Sequence, residues 1–413
     1  MVRKHIAYND FSNWRFQVTK AEGSYLWDEK KRKIIDFTSG WNVANLGWNN
    51  PEVNEAAIKQ AKRNVYVPMW TSDPIQEEYA AALTSSLPKQ LNAICRATGG
   101  TEANEEALKI ARAATGRKKI IGFRDTYHGQ SLGVMAIGYR PEYVQAIAPL
   151  VPDFIQIDFP SVVPGDSEKL VLQAFLERLE GILKKRDVAG MVVEAGIITG
   201  WGSTLVAPNG FLTGIRKLTK QYGTFLILDE VGTGFSRLGK LFGMEIEDIV
   251  PDVATLAKGI SNGAAAIGAA VVNTDVVDPI IPKTNLTSTF GWTPIACASA
   301  LATLRIHKRD KVWETADKNG KYLLTALHTS IGENSVTGSI RGIGMEIGVQ
   351  CVRLGKPDDQ TARHVVSKSF ERGLHVIFGG NGNIQIMPPL TTPKDVLEKG
   401  VEIFSGVIKQ VQA

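Results

Sequence analysis

Short apolar runs alternate with longer helix-forming stretches along most of this 413-residue chain. The apolar runs have strand length and lie between segments rich in Ala, Leu, Glu and Lys, which favours a mostly parallel sheet covered by helices. Ligands of such sheets bind beyond the carboxyl ends of the strands. The pattern predicts strands at Lys119–Phe123, Met191–Glu194, Phe225–Asp229, Val253–Leu256 and Ala266–Val272.

Helix formers fill the intervals between these strands, and the first predicted helix begins with a proline, which suits a first helical turn. The predicted helices cover residues 51–64, Ile75–Leu87, Glu102–Ala113 and a long stretch from Pro294 to about His307. Towards the termini the apolar runs are shorter and are separated by turns. They predict strands at Phe16–Val18, Tyr25–Asp28, Ile34–Phe37, Met345–Val349 and Ile384–Met387.

The order of these elements predicts an α/β fold with two domains, as the chain length allows. We expect a large domain over residues 55–310, with a mostly parallel sheet flanked by helices. A smaller α+β domain is expected from both termini, residues 1–54 and 311–413. No low-complexity linker or internal repeat divides the chain further.

Composition narrows the class of protein. Hydrophobic residues make up 44% of the chain and charged residues 22%, which is ordinary for a globular protein. The 47 Lys and Arg against 42 Asp and Glu give a formal charge of +5, without a basic stripe that would indicate nucleic-acid binding. Three dispersed cysteines argue against a disulfide framework, and no apolar run suits a signal peptide or membrane span. We therefore expect a cytoplasmic protein without a metal site.

Two polar residues follow buried-looking strands at the expected ligand edge. Asp229 ends the run FLILD, and Lys258 follows VATLA. Either residue alone is more simply a helix cap, a turn residue or a solvated side chain. Together they are what pyridoxal phosphate needs, namely a lysine that forms a Schiff base and a carboxylate that keeps the pyridine nitrogen protonated.

The segment ATGGTEANEEALKIARAA offers a candidate phosphate site. Gly99 and Gly100 allow close approach to the backbone, Thr101 supplies a hydroxyl, and a strong helix follows at once. An ordinary glycine turn with Thr101 as a helix cap explains the same residues equally well. A second phosphate motif, Gly234 to Lys240, resembles a nucleotide-binding loop, but Leu241 stands where magnesium binding requires Ser or Thr.

With these elements in order, the chain resembles the class III aminotransferases of pyridoxal-phosphate fold type I. The resemblance spans nearly the whole chain, and Asp229 and Lys258 are 29 residues apart (258 − 229), as in that family. The motifs that carry it, in the family's order, are DFTSGWNVANLG, TGGTEANE, YHG, LDEVGTGFSRLG, LAKGI, STFGWTP and IQIMPPL.

The resemblance implies a role for each matching residue. Lys258 would hold the cofactor as a Schiff base and move the substrate proton, and Asp229 would pair with the ring nitrogen. Gly100 and Thr101 would bind the phosphate. The remaining implied cofactor contacts are Tyr127 and Val231 on the two ring faces, Glu194 near the ring, and Thr289 from a neighbouring subunit of a homodimer. Taken alone, Tyr127 is more simply a core aromatic, and a strand-end acid satisfied by backbone donors explains Glu194 nearly as well.

Four positions bear on the substrate, and three of them, Gln385, Thr199 and Trp41, depart from the family's pattern. Gln385 stands where many members that act on α-amino acids carry an arginine, and an amide cannot offer a charged fork to a carboxylate. Thr199 replaces a glutamate that often accompanies that arginine. Trp41 and Trp70 suggest an aromatic substrate pocket, although simple packing explains tryptophans as well.

These departures predict transfer from an ω-amino acid or primary amine to a small oxo acid such as pyruvate, by a ping-pong mechanism. Arg124 or Arg140 could instead supply the missing cation. An aminomutase, epimerase or decarboxylase of the same fold would use the same cofactor residues. A non-catalytic scaffold is disfavoured because the lysine, the acid and the glycine loop are all present.

Overall fold

The computed structural model describes residues 16–162, 165–332 and 334–412, so the first fifteen residues of the predicted N-terminal part lie outside the described residues. Its strands, in chain order, are β1 (Lys20–Glu22), β2 (Tyr25–Trp27), β3 (Lys33–Asp36), β4 (Ala93–Ala97), β5 (Lys119–Phe123), β6 (Phe154–Ile157), β7 (Val188–Glu194), β8 (Ile197–Ile198), β9 (Leu205–Val206), β10 (Phe225–Asp229), β11 (Val253–Leu256), β12 (Gly268–Val272), β13 (Thr337–Ile343), β14 (Glu346–Arg353), β15 (Lys356–Pro357), β16 (Leu374–His375), β17 (Ile377–Gly380) and β18 (Asn383–Ile386).

The α-helices of the same ranges include three single turns, α1, α6 and α9, and ten longer helices. In chain order they are α1 (Ser39–Asn42), α2 (Pro51–Ala61), α3 (Pro74–Thr84), α4 (Gly100–Thr115), α5 (Leu132–Gly138), α6 (Pro141–Val144), α7 (Glu168–Leu183), α8 (Phe211–Tyr222), α9 (Thr274–Val277), α10 (Pro294–Arg309), α11 (Val312–Ser330), α12 (Asp359–Glu371) and α13 (Lys394–Gln412).

Seven of the described strands form the central sheet, in the order β4-β12-β11-β10-β7-β5-β6. Strand β10 is parallel to β7 and β11, whereas β12 is antiparallel to both of its neighbours. The register sets Asp229 beside Glu194 on one side and Thr255 on the other. Three polar side chains therefore end adjacent strands at one edge of the sheet.

Strand β10 shows why the sheet is buried on both faces. Leu226 and Leu228 belong to one large apolar cluster, while Ile227 between them belongs to a second. Successive side chains of a strand point to opposite faces, so the two clusters cover the two sides of the sheet. Every residue of β7 is buried for the same reason.

The two ends of the chain meet in a separate region. Strand β16 pairs in parallel with β3, with Leu374 opposite Ile35, and so adds a C-terminal strand to the sheet β1-β2-β3. Strands β13, β14, β18 and β17 form an antiparallel sheet nearby. Phe37 from the N-terminal part packs in one apolar cluster with Leu397 and Phe404 of α13. The N-terminal and C-terminal segments thus share a core.

The predicted α/β fold type is confirmed, with a large, mostly parallel sheet flanked by helices and a smaller sheet region. The predicted strand at Phe16–Val18 is wrong, because the first strand begins at Lys20. Strands β4 and β6 were not predicted. They are the two edge strands of the central sheet, and edge strands have less continuously apolar sequences than buried central strands. The domain limits at residues 54 and 310 stay a prediction.

No helix of the described ranges combines the length and the apolar composition that crossing a bilayer requires.

Two helical glycines give a matched stability test. A Cβ atom at Gly320 in α11 would lie 2.0 Å from the carbonyl oxygen of Gly344, whereas a Cβ atom at Gly181 in α7 would meet nothing within 4 Å. We expect Gly320→Ala to lower the free energy of unfolding by about 1–3 kcal/mol through overpacking. Gly181→Ala should raise it by about 0.5–1 kcal/mol, because alanine favours a helix. Equal unfolding midpoints in urea for the two variants would contradict the packing described here.

Candidate active site

A cavity of about 380 Å³ opens at the carboxyl ends of β7, β10 and β11. It gathers residues that are far apart in the chain. Its wall contains seven of the predicted site residues, namely Gly100, Thr101, Tyr127, Glu194, Asp229, Val231 and Lys258.

Asp229 is held rigidly at the end of β10. Its Oδ1 accepts from the Val231 amide at 2.9 Å, and its Oδ2 accepts from Asn104 Nδ2 at 2.9 Å. His128 Nδ1 lies 2.6 Å from Oδ2 and donates to it, since a carboxylate only accepts. Burial opposes ionisation of Asp229, but His128 and the other two donors hold its pKa below the ordinary value. The carboxylate is therefore kept charged in a buried place.

The pKa of Glu194, on the neighbouring strand, is shifted in the opposite direction from that of Asp229. Burial raises its pKa, and the nearby charge of Asp229 adds to that shift. Oε2 accepts from the amide and the hydroxyl of Thr199 at 2.9 and 2.5 Å. Oε1 has no hydrogen-bond partner among the described residues. Two adjacent buried acids thus differ in their tendency to ionise.

Lys258 begins a 3₁₀ turn, Lys258–Ser261, directly after β11. Its backbone has φ of 49°, in the left-handed region that a side chain-bearing residue rarely adopts. Its side chain lines the cavity, and its Nζ forms no hydrogen bond or ion pair with a described residue. The amine therefore faces the cavity without a competing partner.

The N-terminus of α4 supplies a place for an anion. This helix has 16 residues, and within the described structure no side chain caps its first turn. A Cβ atom at Gly100 would lie 2.9 Å from Val231 Cγ1, so glycine lets the helix start approach the cavity wall. The backbone N–H groups and the Thr101 hydroxyl can bind a phosphate there.

Tyr127 stands on the other side of the cavity, after β5. Its ring packs edge-on against Trp201, with centroids 5.4 Å apart at 89°. A Cβ atom at Gly200 would lie 2.7 Å from the Tyr127 amide nitrogen, so the loop and the tyrosine are tightly fitted. This fit fixes the orientation of the tyrosine ring at the cavity.

The three predicted substrate-pocket residues do not line this cavity in the described chain, and their role at the substrate stays a prediction. Gln385 is fully buried, and its amide is engaged on both sides. Its Oε1 accepts from Trp41 Nε1 at 3.1 Å, and its Nε2 donates to the Thr199 carbonyl at 3.0 Å and to Glu346 Oε1 at 2.6 Å. Gln385 and Trp41 therefore bind each other behind the wall, because a buried amide must satisfy its hydrogen bonds.

Trp70 and Thr289 also lie outside this cavity. Trp70 is 81% exposed, and Thr289 is exposed on a loop. Thr289 lines a second cavity of about 720 Å³, which shares Gly99, Gly100 and Thr101 with the first. Their predicted roles at the site stay predictions.

Sequence reasoning missed three polar residues that shape the site. His128 and Asn104 fix Asp229, and both lie inside motifs already singled out, YHG and TGGTEANE. Glu346, the third, forms hydrogen bonds to Gln385 and Asn42. Nothing in its sequence context, GIGMEIG, distinguishes it from an ordinary strand residue.

The site fits pyridoxal phosphate on its own chemistry. A lysine amine without a partner, a charged buried carboxylate and an uncapped helix N-terminus line one cavity. In addition, Glu194 Oε1 and His128 Nε2 are buried there without a partner in the described chain. Buried polar atoms without partners are expected where a polar ligand completes the site. Fold and site together define the class, a pyridoxal-phosphate-dependent enzyme.

Comparison with known proteins gives the family. The sequence profile of the class III aminotransferases matches residues 7–408. Acetylornithine aminotransferase of Streptococcus mutans is 32% identical over 406 residues, covering 98% of each chain. The 5-aminovalerate aminotransferase DavT of Pseudomonas aeruginosa is 31% identical over 400 residues, covering 94% of this chain and 92% of DavT.

A solved structure agrees with these matches. The thermostable (S)-enantioselective omega-transaminase of Thermomicrobium roseum has a TM-score of 0.90 at 29% identity, covering 97% of this chain and 94% of its own. The protein belongs to the class III aminotransferase family. It is an aminotransferase, and its cofactor is pyridoxal phosphate.

Replacement of Lys258 tests the assignment of the lysine. We expect Lys258→Ala to lose the visible absorbance of the lysine-bound cofactor and to lower kcat by about 10²–10⁴-fold or more, because the amine that carries the substrate proton is removed. Lys283→Ala, which removes an exposed lysine on a surface turn, is the control and should keep both. An unchanged spectrum in Lys258→Ala would refute the assignment.

Asp229→Asn removes the charge while preserving the shape of the side chain. Because a buried fixed charge at the reacting group contributes strongly, we expect kcat to fall by about 10²–10³-fold. The cofactor should remain bound, since its other contacts are intact, and a dialysed sample should show this by absorbance. A kcat within a factor of two of the wild type would count against the role of Asp229.

Proposed function

We propose that this aminotransferase takes the amino group from an ω-amino acid or a primary amine and passes it to a small oxo acid such as pyruvate, by a ping-pong mechanism. One observation carries the proposal. No arginine is among the residues that line the cavity in the described structure, and Gln385 is bound to Trp41 and Glu346. A donor held by a charged fork at its carboxylate therefore finds no partner there.

Each site residue has a task that follows from its surroundings. The Lys258 amine would hold the cofactor and would move a proton at the amine-bearing carbon of the donor. Asp229, fixed by His128 and Asn104, stays ionised and would keep the proton on the ring nitrogen. The bound cofactor supplies an electron-withdrawing ring that makes loss of that carbon-bound proton possible.

The remaining residues would orient the cofactor and shield it from water. The α4 N-terminus with Gly100 and Thr101 would hold the phosphate by its backbone N–H groups. Tyr127 and Val231 would cover the two faces of the flat ring and exclude water from it. The unpartnered Glu194 Oε1 lies at the same cavity, where it can hydrogen-bond a polar edge of the cofactor.

The two arginines considered as substitute carboxylate ligands do not line the cavity. Arg124 forms an exposed ion pair with Asp158 at 2.6 Å. Arg140 lies over the Trp201 ring, 5.4 Å from its centroid, and donates to the Gly379 carbonyl. Trp201 contacts both Arg140 and Tyr127, and of these three residues only Tyr127 lines the cavity in the described structure.

An aromatic cluster supports Tyr127. Trp201 stacks on Tyr143, with centroids 4.9 Å apart at 7°, and packs edge-on against Tyr139. Tyr127 packs against Trp201 and Tyr139, and of these four rings it is the one that lines the cavity in the described structure. The cluster therefore presents an apolar tyrosine ring, and no cation, to the cavity on this side.

The relatives support a terminal amine as the reacting group. DavT is named for 5-aminovalerate, whose amine lies at the far end of the chain from its carboxylate. The Thermomicrobium roseum structure is an omega-transaminase. These names belong to proteins about one-third identical or less, so they support the class of donor and not one compound.

We also propose a homodimer with shared active sites. Trp70 is 81% exposed and Phe290 is 63% exposed, and Tyr66, itself 42% exposed, packs against Phe290. Large aromatic side chains at the surface are typical of an interface. Thr289, beside Phe290, lies close to the α4 N-terminus, where a second copy with two-fold symmetry could bring its own threonine to the phosphate.

A donor panel tests the proposed substrate class. With pyruvate as acceptor, we expect kcat/KM for 1-phenylethylamine and other amines without a carboxylate to exceed that for glutamate by about tenfold or more. The reason is that no arginine lines the cavity to bind the side-chain carboxylate of glutamate. β-Alanine and 4-aminobutyrate complete the panel. Parallel double-reciprocal plots with two varied substrates would support the ping-pong mechanism. Fast and exclusive use of glutamate would refute the proposal.

A further inference from the structure

Glu346 is a buried carboxylate one layer behind the cavity. It is fully buried at the start of β14. Its Oε1 accepts from Gln385 Nε2 at 2.6 Å, and its Oε2 accepts from Asn42 Nδ2 at 2.7 Å. The same two amides reach cavity-lining residues, since Gln385 donates to the Thr199 carbonyl and Asn42 to the Gly232 carbonyl. Through these two amides the acid is linked to Thr199 and Gly232, which line the cavity.

Thr199 and Gly232 are themselves fitted to each other. A Cβ atom at Gly232 would lie 2.3 Å from Thr199 Oγ1. Since Thr199 also donates to Glu194, its position is fixed from two sides. The part of the cavity wall that is linked to Glu346 thus has a defined geometry.

Two cations act on Glu346 through space. These are Arg237 and Lys258, and neither forms an ion pair with it in the described structure. Arg237 donates only to neutral oxygens, those of Met345, Pro388, Ser39 and Asn45. Burial raises the pKa of Glu346 to about 7, against the attraction of Arg237 and the two amide donors. Its charge therefore appears near neutral pH.

We propose that Glu346 is a specificity-determining residue of this aminotransferase, an inference that rests on the proposed function. Glu346 and Gln385 together lie behind Thr199 and Gly232. The far end of a bound donor would therefore be near a carboxylate and not near an arginine. Donors that end in a carboxylate are disfavoured against donors of equal length that end in a neutral group. The same acid would pair with, and so neutralise, a cation introduced at position 385.

A matched pair of donors isolates this effect. 4-Aminobutyrate and 4-aminobutanamide have the same length and differ only in carboxylate against amide. The quantity measured is the amide preference, the ratio of kcat/KM for the amide to kcat/KM for the acid. A purely structural role of Glu346 would change both donors alike and leave this ratio unchanged.

Three variants of the holoenzyme are compared with the wild type. Glu346→Gln keeps the shape and removes the acid, so the amide preference should fall about tenfold, as expected for the loss of one buried charge linked to the cavity wall. Gln385→Arg alone should change the ratio little, because Glu346 binds the new guanidinium. The double variant Glu346→Gln/Gln385→Arg should invert the preference in favour of the acid.

Glu106→Gln is the matched control. Glu106 is also buried, on α4, and burial raises its pKa, but it does not line the cavity wall. Its replacement should leave the amide preference as in the wild type. Melting curves of all variants show that each is folded.

The pH profile gives a second readout. A carboxyl with a raised pKa is neutral below that pKa and charged above it, so the amide preference of the wild type should rise as pH increases through about 7. Ionisation of the donor amine affects both donors and cancels in the ratio. The rise should be absent in Glu346→Gln.

Calorimetry supplies a test that needs no turnover. Butanoate, which has the carboxylate but no amine, should bind the Glu346→Gln holoenzyme about tenfold more tightly than the wild type at pH 8. An unchanged amide preference and unchanged butanoate affinity in folded Glu346→Gln would overturn the inference, as would inversion by Gln385→Arg alone. Failure of the wild type to use either amine would instead refute the proposed function, and the calorimetric comparison would still decide the role of Glu346.

Discussion

The buried ion pair between Asp229 and His128 is the interaction on which the site depends. A carboxylate at the end of a central strand is costly to ionise unless donors surround it. Here α4 and the loop after β5 bring an asparagine and a histidine within 3 Å of Asp229. Thr255, which lies opposite Asp229 on β11, donates its hydroxyl to Asn104 Oδ1 and so fixes that asparagine. The charge is therefore stable only when the sheet, α4 and the loop after β5 are all in place.

A second buried charge joins the two parts of the molecule. Arg237, in the loop after β10, is fully buried and donates to residues of the N-terminal segment and of the segment near Pro388. Burial lowers its pKa to about 10, with Glu346 and Asp36 opposing that shift. The Arg237 side chain makes four hydrogen bonds to three chain segments, and these bonds fix the positions of the three segments relative to one another.

Much of this arrangement could be predicted from the sequence, for reasons that particular residues make clear. The central strands were evident because burial on both faces demands continuous apolar runs such as FLILD. Lys258 and Asp229 could be paired because strand ends meet at one edge of the sheet. The hydrogen bonds of Gln385 and Glu346 could not be predicted, because β14 and β18 meet through long-range pairing that leaves no local pattern. Edge strand β4 was missed because AICRA mixes polar and apolar residues.

The contact between Gly100 and Val231 links two tasks that are usually considered apart. In the proposed arrangement one residue begins the helix that would face the phosphate and the other would cover one face of the ring, yet a Cβ atom at position 100 would collide with Val231. A side chain larger than glycine at position 100 consequently requires a smaller residue at position 231. Laboratory evolution of this enzyme would then change the start of α4 only together with the side chain that faces it.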